Sequence, residues 1–195
     1  VNGGQSWLVT DVVIDDEVET NDYGIFDGNI DDVKMSPLDP SVLFIVVKGK
    51  GFFKSADAGL SWVRLGRNFM FEIKDDGGDD ASVHNTSLNG SGRTRIAIGS
   101  DTRPGKHGDQ FIALKVQATV IVSTDGGVNW RQLPGSDREY NIQLWWNSCI
   151  AVCPANEDFL VVGGNGISYT RNANAASPSW HGIEEFHSDQ QAIAF

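Results

Sequence analysis

The chain has 195 residues, of which 40% are hydrophobic, 21% charged and 22 are glycine, a globular composition with length enough for a sizeable core. Its formal net charge of −11 argues against a nucleic-acid partner, which would need a basic footprint, and against adhesion to anionic membrane. No run of about 18 apolar residues is present, so no membrane insertion is expected, and the start carries neither an initiator Met nor a signal-peptide pattern, which points to a processed or excised chain.

Helical periodicity is nearly absent. In chain order, short β-rich runs stand at VLFIVV (42–47), TRIAIGS (94–100), FIALKV (111–116), TVIVS (119–123), CIAVC (149–153) and FLVVGG (159–164). Turn residues separate them every 8–12 positions, the pattern of an all-β fold with many short strands. Cys149 and Cys153 share one face of the fifth run but would sit roughly 13 Å apart along a strand. A disulfide needs Cα atoms within about 7 Å, so both are read as small buried hydrophobes.

One phrase recurs. SADAGLSW (55–62) and STDGGVNW (123–130) both fit S-x-D-x-G-x-x-W. VNGGQSW, ending at Trp7, is a truncated version, and TRNANAASPSW, ending at Trp180, a degenerate one with Thr170 for Ser, Asn172 for Asp and Asn174 for Gly. The four tryptophans are 55, 68 and 50 residues apart. Between them the chain repeats strand, Pro-containing turn, strand, Gly turn, strand, as in DDVKMSPLDPSVLFIVVKGKGFF and NSCIAVCPANEDFLVVGGNGIS. A repeat of this length with four short strands is the signature of a β-propeller blade.

The phrase resembles the Asp-box, or BNR repeat, of sialidases, sortilin-type receptor domains, xyloglucanase-like endoglucanases and photosystem assembly factors. The ending FHSDQQAIAF is similar to the opening strand of a further blade in bacterial BNR proteins, with Gln191 where a second His is common. The resemblance implies four-stranded antiparallel blades, with the box joining third to fourth strand. Asp57 and Asp125 then cap the turn. Gly59 and Gly127 permit a backbone shape that a Cβ opposes, Ser55 and Ser123 add local hydrogen bonds, and Trp62 and Trp130 bury rings between blades. In families with this box it lies opposite the functional face, so these residues are structural.

Strand counting divides the chain into an outer strand of a preceding blade (1–13), blades at 30–66, 93–134 and 147–184, and an inner strand of a following blade (189–195). Such a set is an incomplete ring, and rings close because exposed strand edges are a liability. The remaining blades are expected from missing sequence or from another chain.

The largest insertions join a fourth strand to the next first strand. Residues 11–32 hold nine acids and no base, and 67–92 hold KDDGGDD. Long loops grouped on one face of a rigid scaffold commonly carry binding. Asp75, Asp76, Asp79 and Asp80 have the oxygen chemistry of a calcium site, without EF-hand spacing; a solvated acidic loop is the plainer reading. Asn85-Thr-Ser and Asn89-Gly-Ser are glycosylation sequons. Tyr140, Trp145 and Trp146, followed by Asn147, are either inter-blade packing or a platform for a sugar ring. His187, Asp189 and Gln190 precede the last inner strand, and Asp31, Asp32, Arg95 and Asn147 take equivalent places in other blades; His187, Asp189, Gln190 and Asn147 are candidate ligand contacts there, against the plainer reading that such groups cap strand ends.

Two functions follow. The first is a non-catalytic binding or scaffold propeller that presents acidic loops to a protein or glycan. The second is part of a glycoside hydrolase of sialidase or xyloglucan-endoglucanase type, with Asp31 or Asp32 and Asp189 as the carboxylates. No sialidase-like F/Y-R-I-P motif or arginine triad is recognisable, which favours the first. The family habit implies an extracellular or periplasmic location, and no cofactor beyond calcium is expected.

Overall fold

The computed structural model describes residues 30–48, 51–65, 93–116, 119–136, 147–183 and 190–195. Twelve strands among them form three four-stranded antiparallel sheets, each built from strands consecutive in sequence. The first sheet holds β1 (Ile30–Met35), β2 (Leu43–Val47), β3 (Gly51–Ser55) and β4 (Val63–Leu65). The second holds β5 (Thr94–Ile98), β6 (Ile112–Val116), β7 (Thr119–Ser123) and β8 (Arg131–Gln132). The third holds β9 (Cys149–Cys153), β10 (Asn156–Gly163), β11 (Ile167–Thr170) and β12 (Trp180–Ile183). The β-rich runs of the sequence thus become β2, β5, β6, β7, β9 and β10.

The central strands of the second sheet are apolar on both faces because a sheet lies on either side of them. In the first sheet, register places Lys34, Phe44 and Lys54 in one row and Asp32, Val46 and Phe52 in the next, all on one face. Phe44, Val46 and Phe52 from that face pack against Ile96, Ile112, Leu114 and Ile121 of the second sheet. Trp130 crosses the boundary to meet Phe52 edge-on at 5.5 Å between centroids. The other face of the second sheet, with Phe111, Ala113, Val120 and Val122, meets Ile150, Val152, Leu160 and Trp180 of the third. The opposite face of the first sheet carries its own cluster of Ile45, Val47, Phe53 and Trp62. Fully burying one such side chain contributes about 1.5–3 kcal/mol, so these two seams hold the three sheets together.

The repeated phrase makes the β3–β4 and β7–β8 turns. In the first, Ser55 Oγ donates to Asp57 Oδ1 (2.7 Å) and accepts the Gly59 N–H (2.8 Å). Asp57 accepts the Ser61 N–H (2.8 Å) and hydroxyl (2.6 Å). In the second, Ser123 and Asp125 repeat this, with the N–H groups of Val128 (3.1 Å) and Asn129 (2.9 Å) on Asp125. Gly59 and Gly127 sit at φ +91 and +94, where a side chain is strained. The β11–β12 turn keeps the pattern with other atoms: Thr170 Oγ1 donates to Asn172 Oδ1 (2.8 Å), which accepts the Ser179 N–H (2.9 Å). Its Asn174 N–H turns to Asp158 Oδ1 (2.9 Å) instead.

Each turn is pinned to the first-to-second connection of its own sheet or, in the third sheet, to the start of its second strand. Ala58 N–H donates to Ser41 O (2.7 Å), Gly126 N–H to Gln110 O (2.9 Å) and Ala173 N–H to Asp158 O (3.0 Å). Phrase turns and first-to-second connections therefore share one face. The β5–β6 connection carries a 3-10 turn at Gly108–Gln110 that the strand reading had not placed.

Candidate functional site

The inner strands β1, β5 and β9 stand side by side and form one wall. They are joined by polar bonds. Asp31 Oδ2 accepts the Thr94 N–H (3.0 Å) and Asp32 Oδ2 the Ile96 N–H (2.9 Å). Arg95 answers from β5: Nη1 donates to Asp31 O (2.8 Å) and Nε to Ser148 O (3.0 Å). Lys115, across from Arg95 on β6, donates from Nζ to Ser148 Oγ (3.1 Å). The two carboxylates thus serve as acceptors for backbone groups that would otherwise lie unpaired along the edge of β5.

The electrostatics differ along this wall. Burial raises the Asp31 carboxyl above its ordinary range, against the Thr94 N–H and the charges of Lys48, Arg95 and Arg93. Burial brings the Lys115 ammonium down to about 8, with Cys149 opposing the shift and Arg95 reinforcing it. Burial also raises the Cys149 thiol. Cys149 is buried and Cys153 only half buried; both are free. A small-hydrophobe role therefore fits Cys149 better than Cys153, whose strand end faces solvent.

A cavity of about 180 Å³ opens at this wall, lined by Asp32, Lys34, Arg95, Ser148 and the segment Gln191–Ile193. Residues 190–195 lie beside the third sheet. Gln190 N–H donates to Gly164 O (2.9 Å), and Phe195 meets Phe159 edge-on at 5.3 Å. The segment lies against Cys149 and Gly163, and among the described residues it forms no strand.

Asn147 is fully buried, and its Nδ2 donates to Asn165 Oδ1 (3.1 Å) in the β10–β11 turn. Asn147 and Gln190, both proposed as ligand contacts, here join strand ends to the Gly164 turn. Tyr140, Trp145, Trp146, His187, Asp189 and the acids Asp75, Asp76, Asp79 and Asp80 lie outside the described residues. Among the described residues no group of three His, Cys, Asp or Glu is placed to hold a metal ion, and no helix is long and apolar enough to cross a membrane.

On the turn face, the 99–111 connection escaped sequence reasoning. It ties all three sheets: Asp109 accepts from Ser36 (3.1 Å), and Lys106 pairs with Asp158 (3.1 Å). Under it lies Glu157, buried, raised in pKa by that burial and with Oε2 unpartnered among the described residues. Nothing in the run SDTRPGKHGDQ separates such a clamp from a solvated loop. Lys115 was legible in principle, as the one charge inside FIALKV.

No protein-family model matches the chain, and no curated protein matches it. Solved structures do. YCF48 from Cyanidioschyzon merolae aligns over 80% of this chain and 40% of its own, with TM-score 0.50 and 17% identity. An ancestral GH74 enzyme aligns over 84% of this chain and 19% of its own, with TM-score 0.51 and 16% identity. A structure of YCF48 bound to D1 peptide covers 80% of this chain and 40% of its own, at TM-score 0.47 and 14% identity. The fold is a β-propeller, and each sheet is one blade. The chain spans about two fifths of the YCF48 chain and about one fifth of the GH74 chain. At these identities the likeness concerns fold alone.

Proposed function

We propose that this chain is part of a non-catalytic, Asp-box binding propeller that presents its acidic fourth-to-first loops to a protein or glycan partner outside the cytoplasm, in an extracellular or periplasmic setting. The observation that carries the reading is the use made of Asp31 and Asp32. Each spends a carboxylate oxygen on a backbone N–H of β5. Asp32 also accepts its neighbour Val33's N–H (2.9 Å) and lies 3.4 Å from Lys34. A general acid or nucleophile needs an oxygen free to meet the substrate. Asp32 has both oxygens engaged, as have the turn aspartates Asp57 and Asp125, whereas Asp31 engages Oδ2 alone among the described residues.

Further blades, from a longer polypeptide or a second chain, complete the ring in this reading. Val33 and Met35 on β1 share a face with Ile45 and Leu43, away from the second blade, and are 51% and 58% exposed. Apolar side chains of an inner strand in that position suit the seam of another blade.

The glycoside-hydrolase alternative keeps one supporting feature, the raised pKa of Asp31, which is a property of a general acid. The test is a hydrolysis and binding screen of the intact protein against xyloglucan, sialosides and basic protein ligands. Binding without turnover is expected. Turnover that disappears in a folded Asp31→Asn or Asp32→Asn variant would overturn the reading.

A further inference from the structure

Glu157 stands near the start of β10, beneath the 99–111 connection, and its main chain and side chain meet that connection differently. Its backbone N–H donates to the Asp101 carboxylate, which is itself buried and takes Arg103 Nε at 2.9 Å. Its side chain does the reverse. Glu157 is 3% exposed, and Oε2 has no hydrogen-bond partner among the described residues. A Cβ added to Gly99 would meet Gly108 O at 2.7 Å and Glu157 Oε2 at 3.2 Å, so a carbonyl oxygen and a carboxyl oxygen flank the same glycine. A protonated carboxyl brings a donor to such a place, whereas a carboxylate brings only acceptors. An ionised carboxyl is also costly to bury unless it is hydrogen-bonded.

The charged groups around Glu157 come from the connection and from β10 itself. Burial raises the carboxyl above its ordinary range; Lys106 and His107 oppose that shift, and Asp101 and Asp158 reinforce it. The two permanent cations of the connection are engaged with other carboxylates, Arg103 with Asp101 and Lys106 with Asp158 (3.1 Å).

We propose that the 99–111 connection is a pH-sensitive clamp on the third blade, which holds while Glu157 is protonated and loosens when Glu157 ionises. The connection grips that blade through Ser100 Oγ on Pro154 O (3.1 Å), Lys106 on Asp158 and Asp101 on the Glu157 N–H. An ionised Glu157 places a further negative charge beside Asp101 and Asp158 and competes with Asp158 for Lys106. The grip on the first blade, Ser36 on Asp109, uses none of these groups. The sign follows from linkage. The folded value lies above the ordinary 4.5, so the folded chain binds more protons between the two. The contribution is complete below the unfolded value and is lost as pH rises through the folded one. The clamp stands whether or not the acidic loops bind a partner.

The test is amide hydrogen exchange of the intact protein from about pH 4 to about pH 8, corrected for the intrinsic pH dependence of exchange, with Glu157 Cδ followed by NMR in labelled protein. Protection of the Gly108 N–H, which bonds Asp101 O, should fall at least ~3-fold as Glu157 ionises. Protection of the Ser36 N–H, which bonds Val42 O, should stay level. Glu157→Gln, uncharged at every pH, should keep the low-pH protection throughout, and His107→Gln should leave the pH dependence in place. A Glu157 midpoint at the ordinary carboxyl value, or Gly108 protection that does not change with pH, overturns the proposal in the wild-type protein alone. So does a pH dependence that persists in folded Glu157→Gln or vanishes in folded His107→Gln.

Discussion

The turn face and the inner-strand wall use the same polar residue types to opposite ends. At the turns, Asp57 and Asp125 close loops within their own eight residues, so the bonds are local and complete. On the wall, Asp31 and Asp32 reach 63 and 64 residues along the chain to the next blade. There the cations Arg95 and Lys115 are left with neutral partners. A local motif saturates itself and has nothing left for a ligand. A wall assembled from distant segments depends on pairings between blades, and among the described residues its cations hydrogen-bond only to neutral groups.

The sharpest way to break this contrast is Asp32→Ala. It strands the Ile96 N–H between two blades and costs about 2–3 kcal/mol in urea denaturation. A cost near zero would show that the inner strands are not stitched this way. Next comes Lys115→Met, which removes a buried charge and raises stability by on the order of 2 kcal/mol at pH 7. The sign follows from linkage. The folded pKa, about 8, lies below the unfolded value of 10.5. Between those values the unfolded chain binds more protons, so wild-type stability rises with pH. Lys115→Met should lose that rise.

Two glycines separate conformational strain from close packing. At Gly127 an added Cβ would meet Leu65 Cδ1 at 2.6 Å, whereas at Gly59 its nearest neighbour, Leu43 Cδ1, is at 3.4 Å. Gly127→Ala should cost about 2 kcal/mol and Gly59→Ala about 1, read as denaturation midpoints. Equal costs would mean that the left-handed φ alone matters.

The smallest effect is acid sensitivity of the first turn. The Ser61 hydroxyl, the Ser61 N–H and Ser55 hold Asp57 down to about 2, against an ordinary value of 3.8. Its contribution is complete above the unfolded value and is lost as pH falls from about 4 through 2. Asp57→Asn should flatten that part of the pH–stability curve.

Much of the fold was legible because its signals are local. Trp62, Trp130 and Trp180 mark the phrase turns, and even the degenerate third phrase folds alike, since Thr170 and Asn172 offer a hydroxyl and a side-chain oxygen at the same spacing. The inner-strand wall was legible only in part. The positions of Asp31, Asp32 and Arg95 at inner-strand ends follow from counting strands. That the two acids would bond the next blade's backbone, and that Lys115 on a second strand would meet Ser148 of another blade, depends on seams between segments some 30 to 60 residues apart. No short pattern records such seams.

The most direct measurement is an NMR pH titration of the Lys115 side chain, by its Cε signal in labelled protein. The account requires a midpoint near 8, because burial at the seam between the second and third sheets disfavours the ammonium. A midpoint at the ordinary lysine value would contradict it, showing a solvated amine and a seam that is not closed over this strand.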